Sequence, residues 1–197
     1  MTSQNGTEKE FMSDSEIKDF LSTSSKVSEL GYKEDPKIEE EVDDWFQWYY
    51  TSSKKMDNVN NTNETISSKG VYFICPQPFQ KPYLKRITME EGQSLLVPVY
   101  SASASKKEYP LCEDLSEVVK QDLQGITEIS INLNGNKIAA KWIIRKKALP
   151  IAGSTFYGGL WLLLKAKDLG RGDHLLSFKA NSKNYEVEVK IPIHVVI

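Results

Sequence analysis

Asp168-Leu-Gly-Arg-Gly-Asp-His174-Leu-Leu-Ser-Phe178-Lys-Ala180 leads, across Asn181-Ser-Lys-Asn184, into a second run from Tyr185 to Ile197. Gly170 and Gly172 bracket a turn ahead of the first run. In the second, Tyr185, Val187, Val189, Ile191, Ile193 and Val195 alternate with mostly polar or charged residues. Period-two alternation on both sides of a polar break is the mark of two half-buried antiparallel strands. The chain is therefore a β-sheet protein whose last strand belongs to the core. Just upstream, Leu160-Trp-Leu-Leu-Leu-Lys165 is almost continuously apolar and reads as a strand buried on both faces. Further back, Glu128-Ile-Ser-Ile-Asn-Leu133 alternates cleanly and ends in Asn134-Gly135, the strongest short hairpin signal. Its return strand is expected through Ile138 and on toward Ile144.

Three more strands precede these: Val71–Cys75, Leu84–Met89 and Ser94–Tyr100, the last with Pro98 marking an edge or a bulge. Pro76, Pro78 and Pro82 punctuate a loop. Ser101–Ser105 and Leu149–Gly159 read as loops too, with Gly158-Gly159 letting the second pass close to Trp161. About eight strands with no strand–helix–strand rhythm favour an antiparallel β-sandwich, of jelly-roll or immunoglobulin-like type, over a doubly wound sheet. An N-terminal amphipathic helix is expected where Ile38, Val42, Trp45, Phe46 and Tyr49 recur at helical spacing, opened by Asp35 and Pro36. A short internal helix is expected over Asp114–Leu123, stopped by Gly125. Residues 1–34 read as a flexible N-terminal tail in which Ser13-x-x-Glu16 can cap one transient or docked helix carrying Ile17, Phe20 and Leu21. Residues 35–197 read as a single sandwich domain, with a long polar loop from Ser52 to Lys69.

Composition removes several function classes from expectation. A chain of 197 residues with 40% hydrophobic and 26% charged residues is ordinary for a globular domain. Its formal net charge of −2 gives no electrostatic basis for binding nucleic acid. Arg145-Lys146-Lys147 is short and reads as a solvated strand end. No run reaches the roughly twenty apolar residues of a membrane-spanning helix. The first residues lack a hydrophobic signal core, so a cytoplasmic location is expected, and an exported one if the chain is trimmed from a longer precursor. Cys75 and Cys112 are distant in sequence; free thiols are expected, with a bridge left open. Two cysteines and two histidines without close spacing supply no metal site, and no cofactor motif is present.

No catalytic residues are assigned. Asp173 and His174 are strand neighbours whose side chains point to opposite faces, His194 reads as an outward strand residue, and Arg171-Gly172-Asp173 reads as turn chemistry. The acidic pairs Glu90-Glu91 and Glu113-Asp114 would serve glycan or ester hydrolysis only if their loops converged. Trp45, Tyr49 and Trp161 read as core. Trp48 and Tyr50 fall off the helix's apolar stripe, Tyr157 sits in a Gly-rich stretch, and Trp142 lies on a strand, so these four are the ligand-binding candidates.

Trp45-Phe-Gln47-Trp48, Gly70-Val-Tyr-Phe73, Gly92-Gln-Ser-Leu-Leu-Val-Pro98, Ile131-Asn-Leu-Asn-Gly135, Gly158-Gly-Leu-Trp161 and Gly172-Asp-His174 occur in an order that resembles an uncharacterised family of ammonia-oxidising archaea and some bacteria. The resemblance covers about residues 43–197 and implies a compact β-sandwich of unknown role, with no catalytic residues to carry over. The functional expectation is a non-enzymatic binding or interaction module for a protein or carbohydrate. The alternatives are a hydrolase using Glu90, Glu91, Glu113 and Asp114, and a structural or shell subunit.

Overall fold

A computed structural model describes residues 10–21, 37–52, 64–75, 86–183 and 186–196. Asp35, Pro36, Pro76, Pro78, Pro82, Leu84, Asn184, Tyr185 and Ile197, named above, lie outside them. The described residues form four helices, α1 (Asp14–Phe20), α2 (Lys37–Ser52), α3 (Leu115–Gln124) and α4 (Ala166–Leu169). They also form ten strands: β1 (Glu64–Ile66), β2 (Val71–Ile74), β3 (Ile87–Glu90), β4 (Ser94–Ser105), β5 (Ile126–Leu133), β6 (Asn136–Lys137), β7 (Lys141–Ile144), β8 (Thr155–Lys165), β9 (Gly172–Ser182) and β10 (Glu186–Val196). The protein is mainly β. One sheet has the order β1-β2-β4-β8-β7, the other β3-β10-β9-β5-β6.

The C-terminal alternation becomes an antiparallel ladder from Glu186 opposite Asn181 to Val195 opposite Gly172. Val187, Val189, Ile191, Ile193 and Val195 are all buried. They share one core with Leu95, Val97, Leu160 and Leu162 of the opposite sheet, so the two sheets meet through their apolar faces. Asn134 and Gly135 both take positive φ, 53° and 81°, as a two-residue hairpin turn requires. Asn134 also locks this turn to β9: its amide oxygen accepts from Leu175 N (2.9 Å), while its amide nitrogen lies 3.0 Å from His174 Nδ1.

Both sheets are mixed rather than antiparallel throughout. β2 pairs parallel with β4, and β3 parallel with β10. The cause is that β3, which lies between β2 and β4 in sequence, belongs to the other sheet, so no hairpin joins β2 to β4. Three further expectations are corrected. Ser101–Ser105 is strand, because Ala102 and Ala104 are small enough to admit α3 against β4. The return from the Asn134-Gly135 turn is broken after Lys137, and Lys141–Ile144 joins the other sheet. Gly158 and Gly159 lie within β8, whose first residue is Thr155.

Helices cover what the second sheet leaves open. α2 lays Ile38, Val42, Trp45 and Phe46 on the outer face of the first sheet, against Phe73, Leu96, Tyr157 and Trp161. α3 and α1 close the inner face at one end, with Val119, Leu123, Ile17 and Leu21 against Phe156 and Ile144. No described helix is long and apolar enough to cross a membrane.

The caps follow the sequence closely. Asp114 Oδ1 accepts from Ser116 N at 2.9 Å and caps α3. Asp114→Ala should cost about 1 kcal/mol, a fall of roughly 2–4 °C in Tm on thermal melting. At α1, the Glu16 carboxylate accepts from Ser13 N (2.7 Å) and pairs with Lys146 (2.9 Å), contacts that hold its pKa down at about 2. A depressed carboxylate stabilises the folded state above its ordinary value of 4.5 and loses that contribution as pH falls toward 2. Amide protection factors, which correct for the slower intrinsic exchange in acid, should therefore fall in α1 across that window ahead of those in β8.

Candidate functional site

β2 stops at Ile74, having paired with β4 only from Ser94 to Leu96. β4 continues past a register shift between Pro98 and Tyr100, the irregularity that the proline foretold, and runs on to Ser105. Beyond Leu96, no described strand flanks β4 on the β2 side. The C-terminal half of α2 crosses above that gap, and a cavity of about 170 Å³ opens between them. Trp45, Phe46 and Tyr49 of α2 form one wall. Pro98, Val99, Tyr100, Ser101 and Ser103 of β4 form another, with Cys75 and Val187 completing the lining.

The aromatic wall is held rigidly. Trp45 Nε1 donates to Ile74 O at 2.8 Å, which anchors the indole to the end of β2. Tyr49 stacks on it at 5.1 Å with 8° between planes, and Trp161 meets it edge-on at 5.2 Å. Phe46 stacks on Tyr157 at 3.8 Å. At the rim, the Tyr50 hydroxyl lies 3.0 Å from Ser103 Oγ. Burial pushes the Cys75 thiol up to about 11, so it is a neutral sulfhydryl near pH 7 rather than a nucleophile. The site is an aromatic hollow edged by hydroxyls.

Beneath the wall lies a buried ion pair. Arg145 is only 4% exposed and donates through Nη1 to Asp43, through Nη2 to Glu10 (3.2 Å) and through Nε to Lys147 O (2.9 Å). Phe11 covers its guanidinium at 5.1 Å. The Tyr157 hydroxyl donates to the other oxygen of Asp43. Arg145 is thus no solvated strand end: one residue beyond β7 it shares the outer face of the first sheet with Ile143, where α2 brings an acid to meet it.

The four ligand-binding candidates are not gathered in one place. Tyr50 reaches the cavity rim. Trp48 is half-buried beside it, edge-on to Trp45 and 6.0 Å from Phe73. Tyr157 is fully buried in β8, which corrects its placement in an exposed Gly-rich loop. Trp142 packs with the core clusters on the inner face of the first sheet, away from α2. The sequence reading assigned Trp45 and Tyr49 to core alone and missed that they also wall a cavity. The available signal was Pro98, which marks the irregularity of β4 and lines the cavity there.

The acidic pairs do not converge. Glu90-Glu91 stand exposed at the turn before β4, and Glu113-Asp114 at the exposed entry to α3. The twelve residues of β4 lie between the two places, a length of roughly 35 Å. Asp173 and His174 diverge as expected, yet Asp173 meets His194 across the ladder at 2.6 Å and is also paired with Arg86. The hydrogen bond with His194, together with the Arg86 charge, holds its carboxyl below the usual range. No three metal-ligating side chains gather among the described residues, and Cys75 and Cys112 are both free.

No protein-family model matches the chain, and no curated protein matches it. Among solved structures it is similar, over 76% of its length at 13% identity and a TM-score of 0.24, to the endo-β-1,4-mannanase from Thermotoga petrophila. It is also similar, over 71% of its length at 14% identity and a TM-score of 0.20, to an endo-fucoidan hydrolase from glycoside hydrolase family 107. The chain spans only 23% and 14% of those two chains. Likenesses this slight assign neither fold nor activity.

Proposed function

We propose that this protein is a non-enzymatic binding module, a β-sandwich that takes one apolar side chain or ring of a protein or carbohydrate partner into the cavity between α2 and β4. The supporting observation is that cavity: a rigid aromatic wall, hydroxyls at the rim, and a volume of about 170 Å³. Cavities of about 150 Å³ hold a benzene-sized ligand. Drug-sized pockets begin at roughly 300 Å³, so one ring or one branched side chain suits the space and a larger ligand does not. The sheet scaffold fixes the walls, which keeps the ordering cost of binding low.

Isothermal titration with p-cresol, isopentanol and methyl mannoside tests the reading. At least one should bind saturably with Kd on the order of 1 mM, about 4 kcal/mol, which for ligands of about six to thirteen heavy atoms is roughly 0.3–0.7 kcal/mol per atom. Ser101→Leu, which places a larger side chain in the cavity, should abolish that binding while leaving the thermal melt cooperative. Absence of saturable binding by all three at about 10 mM, tenfold above that Kd, contradicts the proposal.

A further inference from the structure

The segment that joins β4 to α3 carries the largest exposed apolar feature among the described residues. Leu111 is 94% exposed and Tyr109 45%, with Pro110 between them. This tip is not a loose loop. Tyr109 N and Glu108 N donate to Ser105 O (2.9 and 3.1 Å), and Cys112 N donates to Tyr109 O at 3.2 Å, closing a four-residue turn with Pro110 at its second position. Lys106 Nζ donates to Cys112 O across the base, and Lys106 N donates to Ser154 O. The Glu108 carboxylate is tied back to Ser105 through both its amide (3.2 Å) and its hydroxyl (2.9 Å). Holding an apolar tip rigid in water has no folding benefit; it lowers the entropy cost of inserting that tip into something.

The tip and the cavity belong to one surface. Ser103 lines the cavity, and Ser105, two residues along the same strand and about 7 Å away, anchors the tip. Glu108, held by Ser105, is close enough for its charge to add a minor part to the upward push on the Tyr49 and Tyr50 phenols, which burial dominates. A patch that carries a knob beside a hole is self-complementary, the condition a two-fold interface imposes. The sizes agree, since the cavity has room for an isobutyl group or a single ring. Lys107 and Glu108 are neighbours at the base of the knob, and Ser105 holds Glu108 there, so a two-fold pair that seats the knob beside Ser103 brings the lysine of each copy toward the glutamate of the other. A sugar would leave Leu111 nothing to do, because that side chain offers no hydrogen bond.

We propose that the partner filling the cavity is a second copy of this chain, whose Tyr109-Pro110-Leu111 tip enters it in a reciprocal two-fold pair. The proposal rests on the cavity being a binding site. The contact is small against the roughly 800 Å² per partner of stable interfaces, so the dimer is transient, with a Kd on the order of 10–100 µM.

Sedimentation equilibrium of the full chain between about 1 µM and 1 mM, a range bracketing that Kd, supplies the test. Wild type should pass from monomer to dimer. Leu111→Ala, a change on an exposed side chain, removes both knobs and should weaken association about 100-fold, tenfold for each contact. Ser101→Leu fills both holes and should weaken it equally. An equimolar mixture of the two variants retains one intact knob and one intact hole, so it should associate more strongly than either alone. A wild type that stays monomeric overturns the proposal, as does a dimer indifferent to Leu111→Ala, or a mixture no stronger than its components. If the wild type stays monomeric while p-cresol still binds, the two-fold pair fails and the binding module stands. If neither is seen, both fail.

Discussion

Arg145→Met should lower the stability of this protein by about 3–5 kcal/mol, a fall of roughly 10 °C or more in Tm for a chain of this size. The substitution removes the cation and leaves the Asp43 carboxylate beneath α2 with the Tyr157 hydroxyl still donating to it. Burial already pushes the Asp43 carboxyl up from its ordinary value of 3.8, and Arg145 is what opposes that push. The loss should therefore depend on pH in a defined sense. A carboxylate whose folded pKa is raised destabilises the fold above that pKa and ceases to do so once protonated. The deficit of Arg145→Met should thus shrink as pH falls through the folded pKa of Asp43, and it should be largest near neutrality. Asp43→Asn combined with Arg145→Met removes the stranded charge while keeping an acceptor for Tyr157, and should recover part of the loss. Glu10→Gln should be nearly silent, because Glu10 is 66% exposed in its side chain and surface pairs contribute under about 1 kcal/mol. A thermal-melt series that finds Glu10→Gln as damaging as Arg145→Met would show that the pair is not the buried support described.

Gly159→Ala should be the most damaging glycine-to-alanine change among the described residues, and Gly158→Ala should be mild. A Cβ at Gly159 would stand 2.4 Å from Tyr100 O and 2.9 Å from Ser101 Cα. Both are backbone atoms of β4, the direct ladder partner of β8, so no side-chain rotation can relieve the contact. The strands must part at the bulge, at a cost at or above the roughly 1–3 kcal/mol typical of overpacking. A Cβ at Gly158 would meet Ile144 Cγ1 at 3.0 Å and Leu123 Cδ1 at 3.1 Å, side-chain atoms that can give by a few tenths of an ångström. The gain of about 0.5–1 kcal/mol from replacing a strand glycine offsets part of that strain. Urea denaturation of the two variants separates the cases, and equal losses would contradict the reading of Gly159 as the residue that admits β4 at its bulge.

How much of this was legible follows from what the residues can signal. The Val187–Val195 alternation and the Asn134-Gly135 turn are local patterns, and each produced the strand or turn it announced. Asp114 and the Ser13–Glu16 box are local too, and both caps form. Pairing partners are not local. The parallel β2–β4 and β3–β10 pairs depend on which sheet receives β3, which no residue of β3 records. Ala102 and Ala104 misled because small residues read as loop until a helix is known to pack on them. The site was half visible for the same reason. Pro98 announced a bulge, and the aromatic stripe of α2 announced burial, but the cavity exists only where the two cross. Tyr157 was misplaced because Gly158-Gly159 signals a turn in isolation and a close strand approach in context.

The cavity is the centre of the functional reading, and fluorine NMR on protein labelled with 5-fluorotryptophan addresses it most directly. The four tryptophans divide cleanly: Trp45 lines the hollow, Trp48 and Trp161 touch Trp45, and Trp142 lies on the inner face of the sheet. On titration with p-cresol, the Trp45 resonance should shift saturably, those of Trp48 and Trp161 less, and that of Trp142 not at all. Four unmoved resonances, or a Trp142 shift as large as that of Trp45, would contradict a binding site between α2 and β4.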